Sequence, residues 1–515
     1  MAKLAYAQVD QGTVTGIVQD TSGAIVVNAK VLLKNTGTNL VLSTTTNASG
    51  LYVFPPVKVG TYTVSASAPS FETSVQENVR VDVQARVKIN LTLRLGSVTQ
   101  TVKVTSAPPP LQTETSSVGQ VLTTTAIDNT PLNGRNWVYM IQLSAGIVPS
   151  TSTKGGGSGD FSANGQRGDQ NNFLMDGIDN NANILDLMNG ASYNVRPPPD
   201  ALSEFKVETT DYSAEYGHSA GAAVNVSLKS GTNEIHGDLW EYVRNTDLDA
   251  KNWNAQTIPP YHENQFGATL GLPILKNKLF FFADSEANRI TYGATGTYTV
   301  PTPLMRQGNF TELLNTSLTG SSCPTVLFQP NSVGGKYTCS GGQVQTLSGP
   351  LQQYGSSKTT VNGYTFPTGQ NVFNPAALNS IAQTILKMYP LPNANGWNSS
   401  NNSNTSTAQG LTYNNLVENL ITNSDTFQWD GRLDWNIRQA DQAFVRFSYS
   451  NNRGYVPGPL GPILNGATSY SSGDLASLIE NVAASETHIF SPSLFNEVRF
   501  GYNYGMFRFL QPDYN

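Results

Sequence analysis

Several short constellations in this 515-residue chain carry residue types that could do chemistry. Gly217-His218-Ser219-Ala220-Gly221 fits G-x-S-x-G, the turn that exposes a nucleophilic serine between an apolar strand and a helix. The residues that follow, Ala222 to Leu228, alternate like a strand, so the helix such a turn needs is missing. Gly155-Gly156-Gly157-Ser158-Gly159 could cradle a phosphate, but no Gly-Lys-Ser/Thr follows it. His218, His236, His262 and His488 show no ligand spacing. Asp176, Asp179 and Asn180 offer oxygens for calcium without the alternating ligand pattern of a calcium loop, and read as a polar turn. No catalytic residue, metal site or cofactor is therefore expected. Cys323 and Cys339 share one loop-like region, either as free thiols or as a disulfide closing a short loop in an oxidising compartment; the signs of export below favour the disulfide.

What the rest of the chain builds is strands. From Thr426 to Ile437, Phe427, Trp429, Leu433, Trp435 and Ile437 fall on one side, and Gln428, Asp430, Arg432, Asp434 and Asn436 on the other. Strict alternation is the period of a β-strand. The run is longer than the usual five or six residues of a globular strand and matches the roughly 9–11 residues of a membrane-spanning one.

Composition points the same way. Charged residues are 13% of the chain, against about 25% in an average soluble protein. Gly (46), Tyr (22) and Phe (21) are plentiful, which suits extracytoplasmic β-structure. A net charge of -6 gives no general attraction to nucleic acid, and none is expected as a partner. No apolar run of 18 residues exists, so a transmembrane helix is not expected; barrel strands would not produce such a run. Residues 1–12 lack an apolar signal core, yet Ala5-Tyr6-Ala7 resembles the end of a secretory signal, and the expectation is a signal remnant.

Between Thr13 and Leu95 seven strands are predicted: Val14–Val18, Ala29–Lys34, Leu40–Thr45, Leu51–Phe54, Thr61–Ala68, Ser74–Val81 and Val87–Leu95. With turns at Asn47–Gly50, Lys58–Gly60 and Ala68–Ser70, they predict a β-sandwich over 13–96. Gly16-Ile17-Val18, Ala29-Lys30-Val31, Gly50-Leu51-Tyr52-Val53-Phe54 and Val59-Gly60-Thr61-Tyr62 resemble the carboxypeptidase regulatory-like domain. No zinc site accompanies them, so a binding or spacer role is expected. Residues 97–112 read as a linker. Thr101, Val102, Lys103, Val104 and Thr105 are β-prone, and Pro108 to Pro110 end any sheet. A partner could recruit that segment by adding it to a sheet edge.

An ordered set of motifs follows over 113–233. These are Leu132-Asn133-Gly134-Arg135-Asn136, Asn164-Gly165-Gln166-Arg167-Gly168, Phe173-Leu174-Met175-Asp176-Gly177, the strand Glu204–Glu208, Tyr216-Gly217 and Ala222 to Gly231. Together they resemble the plug of TonB-dependent outer-membrane transporters, in the Oar-like branch that carries a regulatory-like domain ahead of the plug. The resemblance implies a globular plug in a large barrel, moved by a TonB-type energy-coupling protein of the inner membrane. It places the coupling box on Thr101–Thr105, and the plug motifs on Asn133, Gly134, Arg135, Asn136, Arg167, Gly168, Asp176 and Gly177.

From 234 to 515 alternating strands recur: Ile235–Arg244, Glu263–Leu272, Lys278–Arg289, Thr426–Ile437, Asp441–Asn451, Ser477–Phe490 and Leu494–Arg508. Their connections alternate short (273–277, 438–440, 491–493) and long (245–262, 290–425, 452–473). Outer-membrane barrels sort their turns this way, short toward the periplasm and long outside. The expected fold is mainly β: an N-terminal sandwich, an α+β plug and a partial antiparallel transmembrane barrel. The loop 290–425, with a helix over Pro375–Met388, is expected to be an external capture surface. The family barrel has 22 strands, so these seven predict a fragment that does not transport alone. The expected partners are the energy-coupling protein, outer-membrane lipid and an unidentified substrate. The alternative is a secreted or surface-attached adhesin or glycan-binding protein built from β-sandwiches.

Overall fold

The computed structural model describes residues 11–96, 101–104, 117–149, 160–182, 192–212, 217, 220–250, 258–319, 379–393, 412–458, 460, 473–491 and 494–510, with shorter pieces between 321 and 398 and at 403–404. The candidate signal remnant therefore lies, up to residue 10, outside the described residues.

The first strands are β1 (Gly12–Asp20), β2 (Lys30–Asn35), β3 (Val41–Thr45), β4 (Leu51–Val57), β5 (Gly60–Ser67), β6 (Thr73–Val81), β7 (Arg86–Lys88), β8 (Leu91–Leu93) and β9 (Thr101–Val104). They form two sheets, β4-β1-β7 with β8 also on β1, and β3-β2-β5-β6-β9. Val14, Val18, Val31, Leu33, Val64 and Ala66 are buried in one core, since alternate residues of each strand point inward.

The predicted strand Val87–Leu95 is two strands. β7 and β8 each run parallel to β1, and the chain breaks step between them. The Asn90 side chain there accepts the Ile17 amide at 3.0 Å, standing in for a backbone carbonyl. Ile89 presses onto Gly16, where a Cβ would lie 1.7 Å from the Ile89 carbonyl oxygen. The β-prone segment of the linker forms a strand: β9 pairs in parallel with β6, Thr101 against Thr73 through Val104 against Gln76.

The plug begins with β10 (Val118–Thr123) and a helix at Thr124–Asn129. A 3-10 turn at Trp137–Leu143, β11 (Ile147–Pro149), β12 (Phe161–Ala163), β13 (Asn172–Met175), β14 (Ile178–Asp179), β15 (Leu202–Thr210) and β16 (Ala223–Leu228) follow. The sheet order is β10-β15-β16-β13-β14. One face carries Phe173, Phe205, Val207, Val224 and Val226 against Trp137, Ile141 and Phe161.

The wall is a meander of seven antiparallel strands, each beside its neighbour in sequence. They are β17 (Leu239–Asn245), β18 (Tyr261–Leu275), β19 (Leu279–Tyr298), then β26 (Leu416–Arg438), β27 (Asp441–Val456), β28 (Gly473–Ser491) and β29 (Leu494–Leu510). Three small hairpins lie between β19 and β26: β20 (Lys336–Ser340) with β21 (Gln343–Ser348), β22 (Thr360–Val361) with β23 (Tyr364–Thr365), and β24 (Trp397–Asn398) with β25 (Ser403–Asn404).

The wall strands outrun their sequence bounds at the long-loop end. β19 and β26 stay paired as far as Tyr298 opposite Leu416, so the loop is 299–415 rather than 290–425. Apolar alternation fades in this part, and side-chain bonds such as Thr291 Oγ1 to Asn423 Oδ1 (3.0 Å) and Thr295 Oγ1 to Asn419 Oδ1 (2.6 Å) accompany the ladder. The helix expected over Pro375–Met388 is described at Ser380–Met388, where the Asn379 side chain caps the Ile381 amide.

Candidate functional site at the plug and barrel wall

The wall has its faces reversed relative to a soluble sheet. Phe427, Trp429, Trp435, Val445, Val498 and Phe500 are exposed, while Gln428, Asp430, Arg432, Asp434 and Arg446 are buried. Apolar side chains outward and charged ones inward suit a sheet with lipid on one side and a filled lumen on the other. A secreted sandwich would bury the apolar face instead. Among the described residues no helix is long and apolar enough to cross a membrane, which says nothing about strands.

The buried face collects charge in like pairs. Arg432 on β26 stands directly opposite Arg446 on β27, and Asp284 on β19 directly opposite Asp430 on β26. Like charges opposite one another on neighbouring strands repel. For the arginines the plug supplies the answer. Asp176, fully buried in the turn after β13, accepts Arg432 Nη1 on Oδ1 at 2.7 Å and sets Oδ2 2.8 Å from Arg446 Nε. The turn that aims it is left-handed at both Asp176 (φ 50) and Gly177 (φ 72), and Oδ1 also accepts the Leu228 amide at 3.1 Å. Arg446 reaches Asn481 Oδ1 at 2.7 Å, and Arg499 donates to the Asp176 carbonyl at 3.2 Å. On β29, Gly501 lets the plug come close: a Cβ there would sit 2.5 Å from Ile178 Cγ2.

Arg135 makes a second contact from the Leu132–Asn136 motif. It pairs with Asp200 of the plug, approaches Glu286 of β19 at 3.6 Å, and stacks over Trp240 (5.1 Å) and Tyr242 (4.6 Å) of β17. Gly134 beside it has φ 63. Asn136 caps the 3-10 turn by accepting the Val138 amide at 3.1 Å, and Asn133 is exposed. The other motif faces away: Arg167 is exposed, and the Gly168 carbonyl accepts from Ser192 Oγ and Asn171 Nδ2, each at 3.1 Å. Asp179 and Asn180 serve the plug's own turns, accepting the Asn181 amide (2.8 Å) and the Val195 amide (3.0 Å). The segment after Gly217-x-Ser219-x-Gly221 is the strand β16, as the alternation predicts.

Besides the signal remnant, the Gly155–Gly159 loop, Tyr216, His218 and Ser219, two site expectations lie wholly or partly outside the described residues. Thr105 is one; Thr101 to Val104 are the strand β9. The Cys323–Cys339 pairing is the other, since Cys323 is undescribed and only the backbone of Cys339 is placed, in β20. Sequence spacing missed one cluster that folding assembles. Oxygens of Asp441 and Glu486 and a ring nitrogen of His488 lie within 4.8 Å of one another, although Asp441 is already held by Arg438 at 2.5 Å and by His488 Nδ1.

Sequence reading also missed the junctions of the N-terminal sandwich, because its charges carry no motif. Lys58 pairs with Asp434 of β26 at 2.9 Å. Arg80 Nη2 meets Glu204 of the plug at 3.0 Å, and the Val83 amide donates to the other Glu204 oxygen. Burial and the nearby Asp82 charge push the Glu204 carboxyl up to about 7, against the opposing pull of the Val83 amide and Arg80.

The matching family models agree with this architecture. The sequence matches the outer membrane beta barrel domain over residues 227–515, the TonB-dependent receptor plug domain over 111–224 and the carboxypeptidase regulatory-like domain over 13–94. A curated relative, the TonB-dependent transporter Oar of Myxococcus xanthus, is 25% identical over 311 residues, which is 57% of this chain and 28% of that protein. The chain thus spans well under half the length of that relative. A solved structure of the ferric enterobactin receptor of Pseudomonas aeruginosa aligns with 76% of this chain and 41% of that one, at 11% identity and a TM-score of 0.40. With a plug held against the inner face of a wall whose apolar side faces outward, and a regulatory-like sandwich ahead of both, this chain belongs to the outer membrane beta barrel family, carries the plug domain of TonB-dependent receptors, and is similar to Oar.

Proposed function

We propose that the chain works in an outer-membrane transporter that captures a substrate outside the cell and admits it to the periplasm past a plug. The observation that carries this reading is the Asp176 carboxylate set between Arg432 and Arg446, which seats a separate globular sheet inside the wall. The segments are read as sandwich 13–96, linker 97–112, plug 113–233 and wall 234–515. The short turns and the sandwich face the periplasm; the long loops face outward and make first contact with substrate. No catalytic role is assigned to any residue.

Energy is read as coming from a TonB-type protein that grips Thr101, Val102, Lys103, Val104 and Thr105. β9 is the last strand of its sheet, with β6 on one side, so main-chain groups of its other edge are placed for strand addition. Val102→Pro and Val104→Pro in the full-length protein remove ladder donors without changing charge. The test is capture of the periplasmic domain of the cognate coupling protein by the detergent-solubilised transporter. Loss of capture is the expected result, and undiminished capture would reject Thr101–Thr105 as the grip.

A further inference from the structure

The N-terminal sandwich touches the short-turn end of the wall and the plug at once. Lys58 pairs with Asp434, Asn39 Nδ2 donates to Asn277 Oδ1 at 3.1 Å in the β18–β19 turn, and Ile489 of β28 packs onto the sandwich core. Arg80 and the Val83 amide hold Glu204 of the plug. The three bodies line a partly open cavity of about 440 Å³. The sandwich lines it with Thr36 and Lys58, the plug with Ser227 and Thr232, and the lumen face with Asp434 and Asn436. The Asn436 amide nitrogen is buried there without a hydrogen-bond partner.

We propose that the N-terminal sandwich is a lid over the periplasmic end of the lumen, latched by Lys58 to Asp434 and by Arg80 and the Val83 amide to Glu204. That this end of the lumen is periplasmic rests on the transporter reading; the latch does not. The latch is joined to the seating of the plug by an unbroken run of charges. Asp434 takes Lys58 Nζ on Oδ1 at 2.9 Å and Arg432 Nε on Oδ2 at 2.8 Å, and the same Arg432 holds Asp176 at 2.7 Å. When Lys58 leaves, Asp434 keeps Arg432 as its cation, and the share of that guanidinium available to Asp176 falls. Lifting the lid therefore opens the cavity and loosens the plug together. The parallel β6–β9 ladder ties the candidate grip to the lid, so a pull on β9 reaches the sandwich directly.

The test uses the full-length protein in detergent, with every native cysteine, Cys323 and Cys339 among them, changed to Ser and Asn436→Cys as reporter. The rate of labelling by N-ethylmaleimide reads exposure of the cavity whether or not the protein transports anything, so a failed lid and a failed transporter reading are distinguishable. Lys58→Met with Arg80→Met is expected to raise the rate on the order of tenfold, the population change that corresponds to about 1.4 kcal/mol. An unchanged rate in a protein that keeps the heat-shifted gel mobility of a folded barrel overturns the lid. Should that variant misfold, Asn39→Cys with Asn277→Cys reads the same question in the native background. Oxidation before labelling is expected to slow modification of the reporter, and reduction to restore it. No slowing in a cross-linked protein overturns the lid as well.

Discussion

Arg432 and Asp176 stand 256 residues apart in the chain and 2.7 Å apart in space. One belongs to the wall and the other to the plug, and each depends on a third residue. Arg446 faces Arg432 across the β26–β27 pair, and the plug carboxylate lies between them. The wall and the plug are thus electrostatically incomplete without each other.

Asp176→Asn leaves two buried guanidinium groups facing one another. Breaking a buried ion pair from one side costs about 3–5 kcal/mol. The plug of this variant is expected to unfold at lower urea than that of the parent, read by tryptophan fluorescence while the barrel stays folded. Adding Arg446→Met should recover a large part of the loss, because the repulsion then goes too. Equal urea midpoints for parent and Asp176→Asn would show that this carboxylate does not seat the plug.

The Glu204 contact should depend on pH. Its carboxyl is raised to about 7 in the folded protein by burial and by Asp82. A raised carboxyl binds its proton more tightly folded than unfolded. Its contribution is therefore full below the usual carboxylate range and is lost as pH climbs through about 7. Docking of the sandwich on the plug, read as hydrogen-exchange protection of the Val83 amide, is expected to fall between pH 5 and pH 8, a window on the order of the two pKa values. Glu204→Gln keeps an acceptor for that amide and should flatten the profile. A parent profile already flat would contradict the assignment.

Gly501 separates close approach from chain flexibility. A methyl group there would meet Ile178 at 2.5 Å. Gly501→Val is expected to destabilise plug seating by about 1–3 kcal/mol through overpacking. Ile178→Ala should relieve most of it in the double variant, whereas a purely conformational cost at Gly501 would not respond to Ile178. Thermal unfolding of the four proteins of the cycle decides.

Val445 tests the membrane directly. It is 43% exposed on the outward face of β27. In water Val445→Arg would shift stability by no more than about 0.5 kcal/mol. In the hydrocarbon core it should cost about 2–4 kcal/mol. Folding into lipid vesicles, followed by protease protection, distinguishes the two, and an unimpaired yield would remove this strand from the lipid.

Alternation along the chain set which face meets lipid in the wall strands where it is strict. In β26 the alternation of Phe427, Trp429 and Trp435 with Gln428, Asp430 and Arg432 is a local rule, because successive side chains of a strand point to opposite sides whatever the rest of the chain does. The same rule placed the strand β16 after Gly221 and so removed a hydrolase elbow. Local rules failed where a distant partner took over. β19 and β26 run on past Arg289 and before Thr426 because they pair with each other, not because of an apolar stripe. The predicted strand Val87–Leu95 splits because Asn90 bonds to Ile17 on β1. Which charges meet follows from the assembled fold. Lys58, Arg80, Glu204, Arg432 and Arg446 have ordinary sequence neighbours, and ion pairing needs a few ångströms in space, which chain distance does not encode. The Asp176 motif was legible as a motif; that its carboxylate sits between two wall arginines, one of them joined through Asp434 to the N-terminal sandwich, became visible only once the three bodies were assembled.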